Sequence, residues 1–457
     1  MPYVAILVTV LAAWGIVKGY KTHMVLFCAG FVLISLTVAA GNSAILPPKA
    51  KPTGSVIFDI FELFRLISIR QISGIGFLIL IAGGFSTYME RIGAAGKLVQ
   101  ICVKPLSVIK SPYVLLPFAF LIGHALGLVV PSAAGLAMLL VVSMFPLLTG
   151  LGISRAAAAA VIGSTLCMSY APTSSMALLS ASTVKIDPVS LLIKYQLPVG
   201  VPVAIVIAVL HGVVQKYFDA REAGEGAGEK VDVSATAESE LAKTLPAYYA
   251  LFPLVPLILL IIFSPLVMKT IVLNTATAMI LGWFLAVIVD ILRTRNVSKA
   301  FDDSMAMFSG MGSILTAVVS LIFVADFFSS GLKASGLIDT LINTAKASGA
   351  GLNGTTIVLS LCVGLIALLT GSGVAAFTSL VGLIPPIAAS MGGDPASMIV
   401  PMQFASEMLR PISPVAGVVI IVAGAARVSP LAVAKRTAIP CAVGMLLIFI
   451  LNTVLFM

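Results

Sequence analysis

Long apolar runs alternate along the chain with short breaks rich in charge, Pro and Gly, and the runs have the length of a bilayer crossing. They predict ten membrane-spanning helices, near 2–17, 24–46, 73–89, 154–182, 190–214, 247–267, 271–292, 306–330, 396–425 and 437–456. Stretches 113–149 and 353–391 are too long for one crossing and are broken midway, at Val130-Pro131-Ser132-Ala133-Ala134-Gly135 and at Thr370-Gly371-Ser372-Gly373. Both read as re-entrant hairpins. Non-helical backbone at membrane depth persists only where it is buried in protein or lines a cavity, so the two tips are expected to face a site.

Two stretches, Phe58 to Arg70 and Lys97 to Lys110, alternate apolar groups with Lys or Arg and are expected along the membrane surface. Segment 216–245 mixes Lys, Arg, Asp and Glu with Gly and Ala and reads as a flexible linker. It divides the chain into halves 1–215 and 246–457.

The halves repeat. Pro188, Lys194 and Pro198 return as Pro430, Arg436 and Pro440, each 242 residues later; Ser132 pairs with Ser372 after 240, and Ala171-Pro172-Thr173-Ser174 with Arg410-Pro411-Ile412-Ser413 after 239. Each half carries five crossings and one hairpin, and an odd number of crossings inverts the second copy. The predicted fold is an all-α polytopic membrane protein of two inverted-topology repeats.

Composition agrees. The 457 residues are 60% apolar and 10% charged, with a mean hydropathy of +1.14, whereas soluble chains average about 25% charged. The net charge of +9 is spread over inter-helix loops without a dense basic block, so topology explains it and a nucleic-acid partner is not expected. Counting Lys and Arg by face gives 17 on the side of the linker and nine on the other, which puts the linker in the cytoplasm and both termini outside. Met1-Pro2-Tyr3 enters an apolar run with no basic region before it, so a retained helix is expected in place of a cleaved signal. The five cysteines have no metal-ligand or disulfide spacing, and phosphate-loop, zinc-protease and hydrolase signatures are missing; no metal, cofactor or enzyme activity is expected.

Candidate chemistry lies at the breaks. Gly163 to Ser175 surrounds Pro172 with small and hydroxyl residues in the middle of the 154–182 crossing, and Glu407 to Pro414 does the same in 396–425. Proline removes a backbone donor, so both helices are expected to be interrupted. Two broken helices and two tips would bring helix ends to midplane, where free N–H groups and the positive dipole end favour carboxylates. The substrate-binding candidates are Ser132, Ala133, Ala134, Gly135, Pro172, Thr173, Ser174, Thr370, Gly371, Ser372, Gly373, Arg410 and Ser413. Small-residue clusters also serve close helix packing, and that alternative stays open.

Arg410 fits neither face and is read as an intramembrane cation. It either binds one substrate carboxylate, with Glu407 as a proton-linked counter-charge, or forms a structural ion pair with Glu407 three residues before it. Asp326 is a second proton-coupling candidate, or an interfacial acid; His124 is either titratable or a satisfied buried histidine, and Glu90 and Arg91 read as interfacial anchors.

At Val130 to Leu136, Gly152 to Ala160, Ala171 to Ser174, Ile412 to Ile420 and Ala434-Lys435-Arg436-Thr437-Ala438-Ile439-Pro440, the chain resembles the anaerobic four-carbon dicarboxylate carrier family DcuC, and more distantly the ion-transporter superfamily. The resemblance implies an elevator-type secondary transporter, assembled as a homodimer in the bacterial inner membrane, that moves succinate, fumarate, malate or aspartate by efflux, uptake or exchange. The Ser-Asn-Thr tips of sodium-coupled relatives are replaced here by Pro-Ser-Ala and Gly-Ser-Gly, so proton coupling is the expectation. A carrier of another organic anion or amino acid is the alternative, and an intramembrane enzyme the reading from a different class.

Overall fold

A computed structural model describes residues 1–42, 45–47, 50–222, 237–264, 267–268, 270–271, 273–337, 340, 343 and 351–457. All regular structure among them is helical, and nine helices have the length and apolar composition to cross a membrane. Their outward faces are apolar: Val201, Ile205, Val209, Val213 and Tyr217, spaced four apart on the Leu197–Arg221 helix, are 43–61% exposed. Lipid is the solvent such a row requires.

The expected breaks are present. Pro112–Leu126 gives way to non-helical backbone before Ala133–Ser143, and Gly351–Thr370 before Gly373–Leu380. The crossing at 154–182 is two short helices, Arg155–Ser164 and Ser175–Val184; the one at 396–425 is Pro395–Met408 and Gly417–Ala426. Local chemistry fixes these ends. Ser132, Ser174 and Ser372 each accept a hydrogen bond from the backbone N–H three residues ahead, at 3.1, 3.2 and 3.3 Å, and Lys185 and Arg427 close the short helices in the left-handed region at φ 57° and 53°.

Three boundaries differ from the sequence reading. Val56–Gln71 is no separate surface helix: it continues through a π turn at Ile72–Gly76, kinked at Gly74, into Phe77–Arg91. Val297–Ile314 continues likewise through Leu315–Val319 into Ser320–Ala334. The segment read as linker is helical at both ends, because Leu197–Arg221 extends into it and Ala237–Thr244 follows; 223–236 lies outside the described residues.

Packing divides the helices into two groups. In one, Val297–Ile314 lies along Phe77–Arg91 and Ser320–Ala334 along Thr22–Ala39. Glycine permits this approach: a Cβ on Gly84 would lie 2.5 Å from the Met307 carbonyl oxygen. In the other, Leu197–Arg221 packs on Pro112–Leu126 and Pro430–Phe456, Pro430–Phe456 packs on Arg155–Ser164, Pro395–Met408 and Gly417–Ala426, and Gly351–Thr370 packs on Pro395–Met408. There Arg155–Ser164 packs on Gly417–Ala426, and Ser175–Val184 on Pro395–Met408, so each broken helix of one half is buried against that of the other. Ala157, Ala158, Ala159 and Ala160 are fully buried, because Arg155–Ser164 is also packed on Pro112–Leu126 and Pro430–Phe456.

Candidate functional site

Each tip rests on the broken helix of its own half. Gly123 and Gly127, on the first arm of the first hairpin, face the Thr165 and Leu166 side chains so closely that a Cβ would clash. A narrow crevice beyond is lined by Val130 and Pro131 of the tip, Thr173 of the break, and Phe85, Ser86 and Met89 of the other helix group. In the second half, a Cβ on Gly373 would lie 2.7 Å from the Ser406 carbonyl oxygen, and one on Gly371, at φ +69°, 2.7 Å from Ala416 Cα.

The two breaks are joined by side chains. Glu407 Oε2 accepts from the Ser169 backbone N–H at 2.6 Å, and Gln403 Nε2 donates to the Ser169 carbonyl at 2.6 Å. The Gln403 side-chain oxygen in turn accepts from Ser180 Oγ at 2.7 Å and Gln196 Nε2 at 3.1 Å. Arg410 Nη2 donates to the Leu166 carbonyl at 2.8 Å. One broken helix thus supplies the hydrogen-bond partners that the other lost where its helix stops. Tip, break, break and tip form one continuous cluster.

Arg410 and Glu407 form no ion pair within 4 Å. The helix ends at Met408, so Arg410 lies beyond the last turn and the i,i+3 geometry expected of a continuous helix does not apply. Arg410 Nε and the fully buried Ser413 Oγ have no hydrogen-bond partner among the described residues. A buried donor left unpaired in this way costs about 1–3 kcal/mol, and more for a charged group.

The other candidates have defined positions. Ser132, Ser174 and Ser372 use an oxygen lone pair as helix caps, which leaves each hydroxyl proton able to donate outward. Ala133, Ala134 and Gly135 form the first turn behind Ser132, and the Glu90 carboxylate lies against Gly135. Pro172 and Thr173 are buried in the first break. Thr370 Oγ1 donates to Ile366 O at 2.7 Å and accepts from Ser372 N at 3.2 Å, bracing the second tip.

Asp326 stands apart from this cluster. Its Oδ2 accepts from Arg70 Nη2 at 2.5 Å and Gln71 Nε2 at 2.8 Å, linking the two long kinked helices. His124 is a satisfied buried histidine: Nδ1 lies 2.7 Å from the Thr165 carbonyl and Nε2 2.6 Å from Tyr170 Oη. A carbonyl only accepts, so Nδ1 carries the proton and Tyr170 donates to Nε2. Arg91 pairs with Asp303 at 2.8 Å.

Sequence reasoning missed Gln403, whose single amide orders the centre of the site, and misjudged Arg436. That residue was counted with the loop cations, yet it is 2% exposed inside Pro430–Phe456 and pairs with Asp219 at 2.6 Å and Glu222 at 2.7 Å. Asp219 also accepts from Ser154 Oγ at 2.6 Å and Tyr113 Oη at 3.1 Å, and Lys435 lies 3.2 Å from Glu222. The cation beside it draws the Glu222 carboxyl below its ordinary value.

The DcuC family model, described as C4-dicarboxylate anaerobic carrier, matches residues 2–457. The chain is 36% identical over 453 residues to the probable anaerobic C4-dicarboxylate transporter DcuC of Vibrio cholerae, covering 99% of this chain and 97% of that one. It is 35% identical over 447 residues to the anaerobic C4-dicarboxylate transporter DcuC of Escherichia coli K12, covering 98% and 95%. The solved YdaH transporter of Alcanivorax borkumensis shares the fold, with a TM-score of 0.61 over 95% of this chain and 98% of that one, at 16% identity.

Proposed function

The chain belongs to the DcuC family of C4-dicarboxylate anaerobic carriers, a family of transporters and not of enzymes, and from this we propose that it moves succinate, fumarate, malate or aspartate across the bacterial inner membrane by efflux, uptake or exchange. The observation that carries the reading to a site is the pair of unpartnered buried donors, Arg410 Nε and Ser413 Oγ, beside the second tip. A guanidinium takes a carboxylate through two parallel N–H groups, and Nε with a terminal nitrogen forms one such edge. The second substrate carboxylate belongs in the first half, where Thr173 meets the tip at Val130 and Pro131 and Ser132 keeps a donor proton.

The repeat supports an inverted pair of such half-sites: capped tips at Ser132 and Ser372, and left-handed closures at Lys185 and Arg427, recur 240 and 242 residues apart. The two helix groups suit an elevator motion, with the hairpins and broken helices carried against the long kinked helices. On this reading the protein is a homodimer with a cytoplasmic linker and external termini. Glu407 is the proposed proton-coupling acid, since it is buried, touches the break and forms no ion pair with Arg410 within 4 Å. Asp326, committed to Arg70 and Gln71, has the weaker claim.

Counterflow in proteoliposomes tests the proposal. Vesicles loaded with unlabelled succinate should transiently accumulate labelled fumarate, and a pH gradient, not a sodium gradient, should drive net uptake. Failure of a folded protein to accumulate any four-carbon dicarboxylate, with accumulation of another organic anion, would transfer the site to that substrate.

A further inference from the structure

We propose that the groove between Pro112–Leu126 and Leu197–Arg221 binds an anionic phospholipid, with an acyl chain along its apolar wall and the headgroup phosphate at Lys216. The two helices touch at Gly212, where a Cβ would come 2.9 Å from the Tyr113 carbonyl oxygen. Away from that contact they leave an open surface groove of about 690 Å³. Val114, Phe118, Val209 and Val213 wall it and are each about half exposed or more. Val209 and Val213 belong to the outward apolar row that starts at Val201, so the groove opens onto the same surface that requires lipid.

Charge at its linker end selects the occupant. Lys216 lines the groove there, together with Tyr113 and Tyr217, and forms no ion pair among the described residues. Arg221 Nη1 donates to Tyr217 Oη at 3.1 Å, adding a second cation. The neighbouring acids are engaged elsewhere: Asp219 with Arg436, Ser154 and Tyr113, and Glu222 with Arg436 and Lys435. A cationic, tyrosine-flanked end on an apolar groove matches the boundary where phosphates meet acyl chains. Tyr113 also reaches Asp219, so a bound lipid braces the cluster that ties Pro430–Phe456 to the first half.

The test uses the full chain, delipidated in detergent, with thermal unfolding and native mass spectrometry. Dioleoylphosphatidylglycerol should raise the unfolding temperature by several degrees and remain as discrete adducts, whereas dioleoylphosphatidylcholine at the same mole fraction should do neither. Lys216→Glu, or Lys216→Gln if the first variant does not fold, should raise the phosphatidylglycerol concentration needed at least tenfold, and Val213→Trp should remove the adduct by filling the groove. Equal stabilisation by phosphatidylcholine, the same shift from inorganic phosphate alone, or an unchanged lipid preference in a folded Lys216 variant overturns the proposal.

Discussion

Glu407 and Ser169 are 238 residues apart in the chain and 2.6 Å apart in space, the carboxylate of one interrupted helix accepting the free backbone N–H of the other. Together with the Gln403 amide bond to the Ser169 carbonyl it ties the two breaks together, while Arg410 faces a different group, the Leu166 carbonyl.

Arg410→Ala should therefore remove dicarboxylate binding without unfolding the protein. Losing a charge-assisted donor corresponds to about 1.5–3 kcal/mol, or roughly a 10- to 150-fold rise in Kd, read from substrate-induced thermal shifts. Because Arg410 does not pair with Glu407, adding Glu407→Gln should not restore binding; restoration would reinstate the structural ion pair.

Glu407→Gln alone separates coupling from exchange. The amide oxygen can still accept from Ser169, so the break stays closed, but no proton can be carried. Counterflow should persist within about threefold of the parent protein while uptake driven by a pH gradient is lost. Gradient-driven uptake at the parental rate would exclude Glu407 as the coupling acid.

Gly373→Ala should disable the second tip, since its new methyl group meets the Ser406 carbonyl at 2.7 Å, a backbone atom with no room to retreat. Overpacking of this kind costs about 1–3 kcal/mol. Exchange rates and unfolding temperature should fall together, and an unaltered rate would mean that the tip is not closed against the break during transport.

Arg436→Ala removes the buried cation from a cluster holding two acids and leaves the mostly covered Asp219 without its charge partner. Breaking a buried pair in this manner destabilises by about 3–5 kcal/mol, visible as a lower unfolding temperature. Arg436→Ala with Asp219→Asn should recover part of the loss.

Acid should weaken the same cluster through Glu222. Its carboxyl is held below the ordinary 4.5 by the hydrogen bond to Arg436, so its contribution is fully present above pH 4.5 and is lost as the pH falls through the lowered value. The unfolding temperature of the parent should drop more steeply below pH 4.5 than that of Glu222→Gln; parallel curves would count against the contact.

Much of this architecture was legible in the sequence because proline, glycine and serine act locally. Pro172, Pro411, Gly371 and the capping serines fall together with small and hydroxyl residues at the points where a helix stops, whereas isolated prolines such as Pro117, Pro202 and Pro440 stay inside helices. The long kinked helices were not legible, since Arg65 and Arg70 looked like a surface segment; Arg70 is accommodated by Asp326, 256 residues away. Arg436 was misjudged for the same reason, its partners Asp219 and Glu222 lying more than 200 residues earlier.

The sequence by itself determined that the chain is a multi-pass helical membrane protein, where its helices break, and to which family it is similar, because hydropathy, proline geometry and motif spacing are properties of short stretches. Only the tertiary structure decided which polar groups meet. Glu407 turned from Arg410 to Ser169, Gln403 became the centre of the site, and Arg410 Nε and Ser413 Oγ were left unpartnered. In a low-dielectric interior every exposed backbone group must find a partner, and whether that partner is a neighbour in sequence or a residue from the opposite half depends on packing between segments that no local pattern encodes.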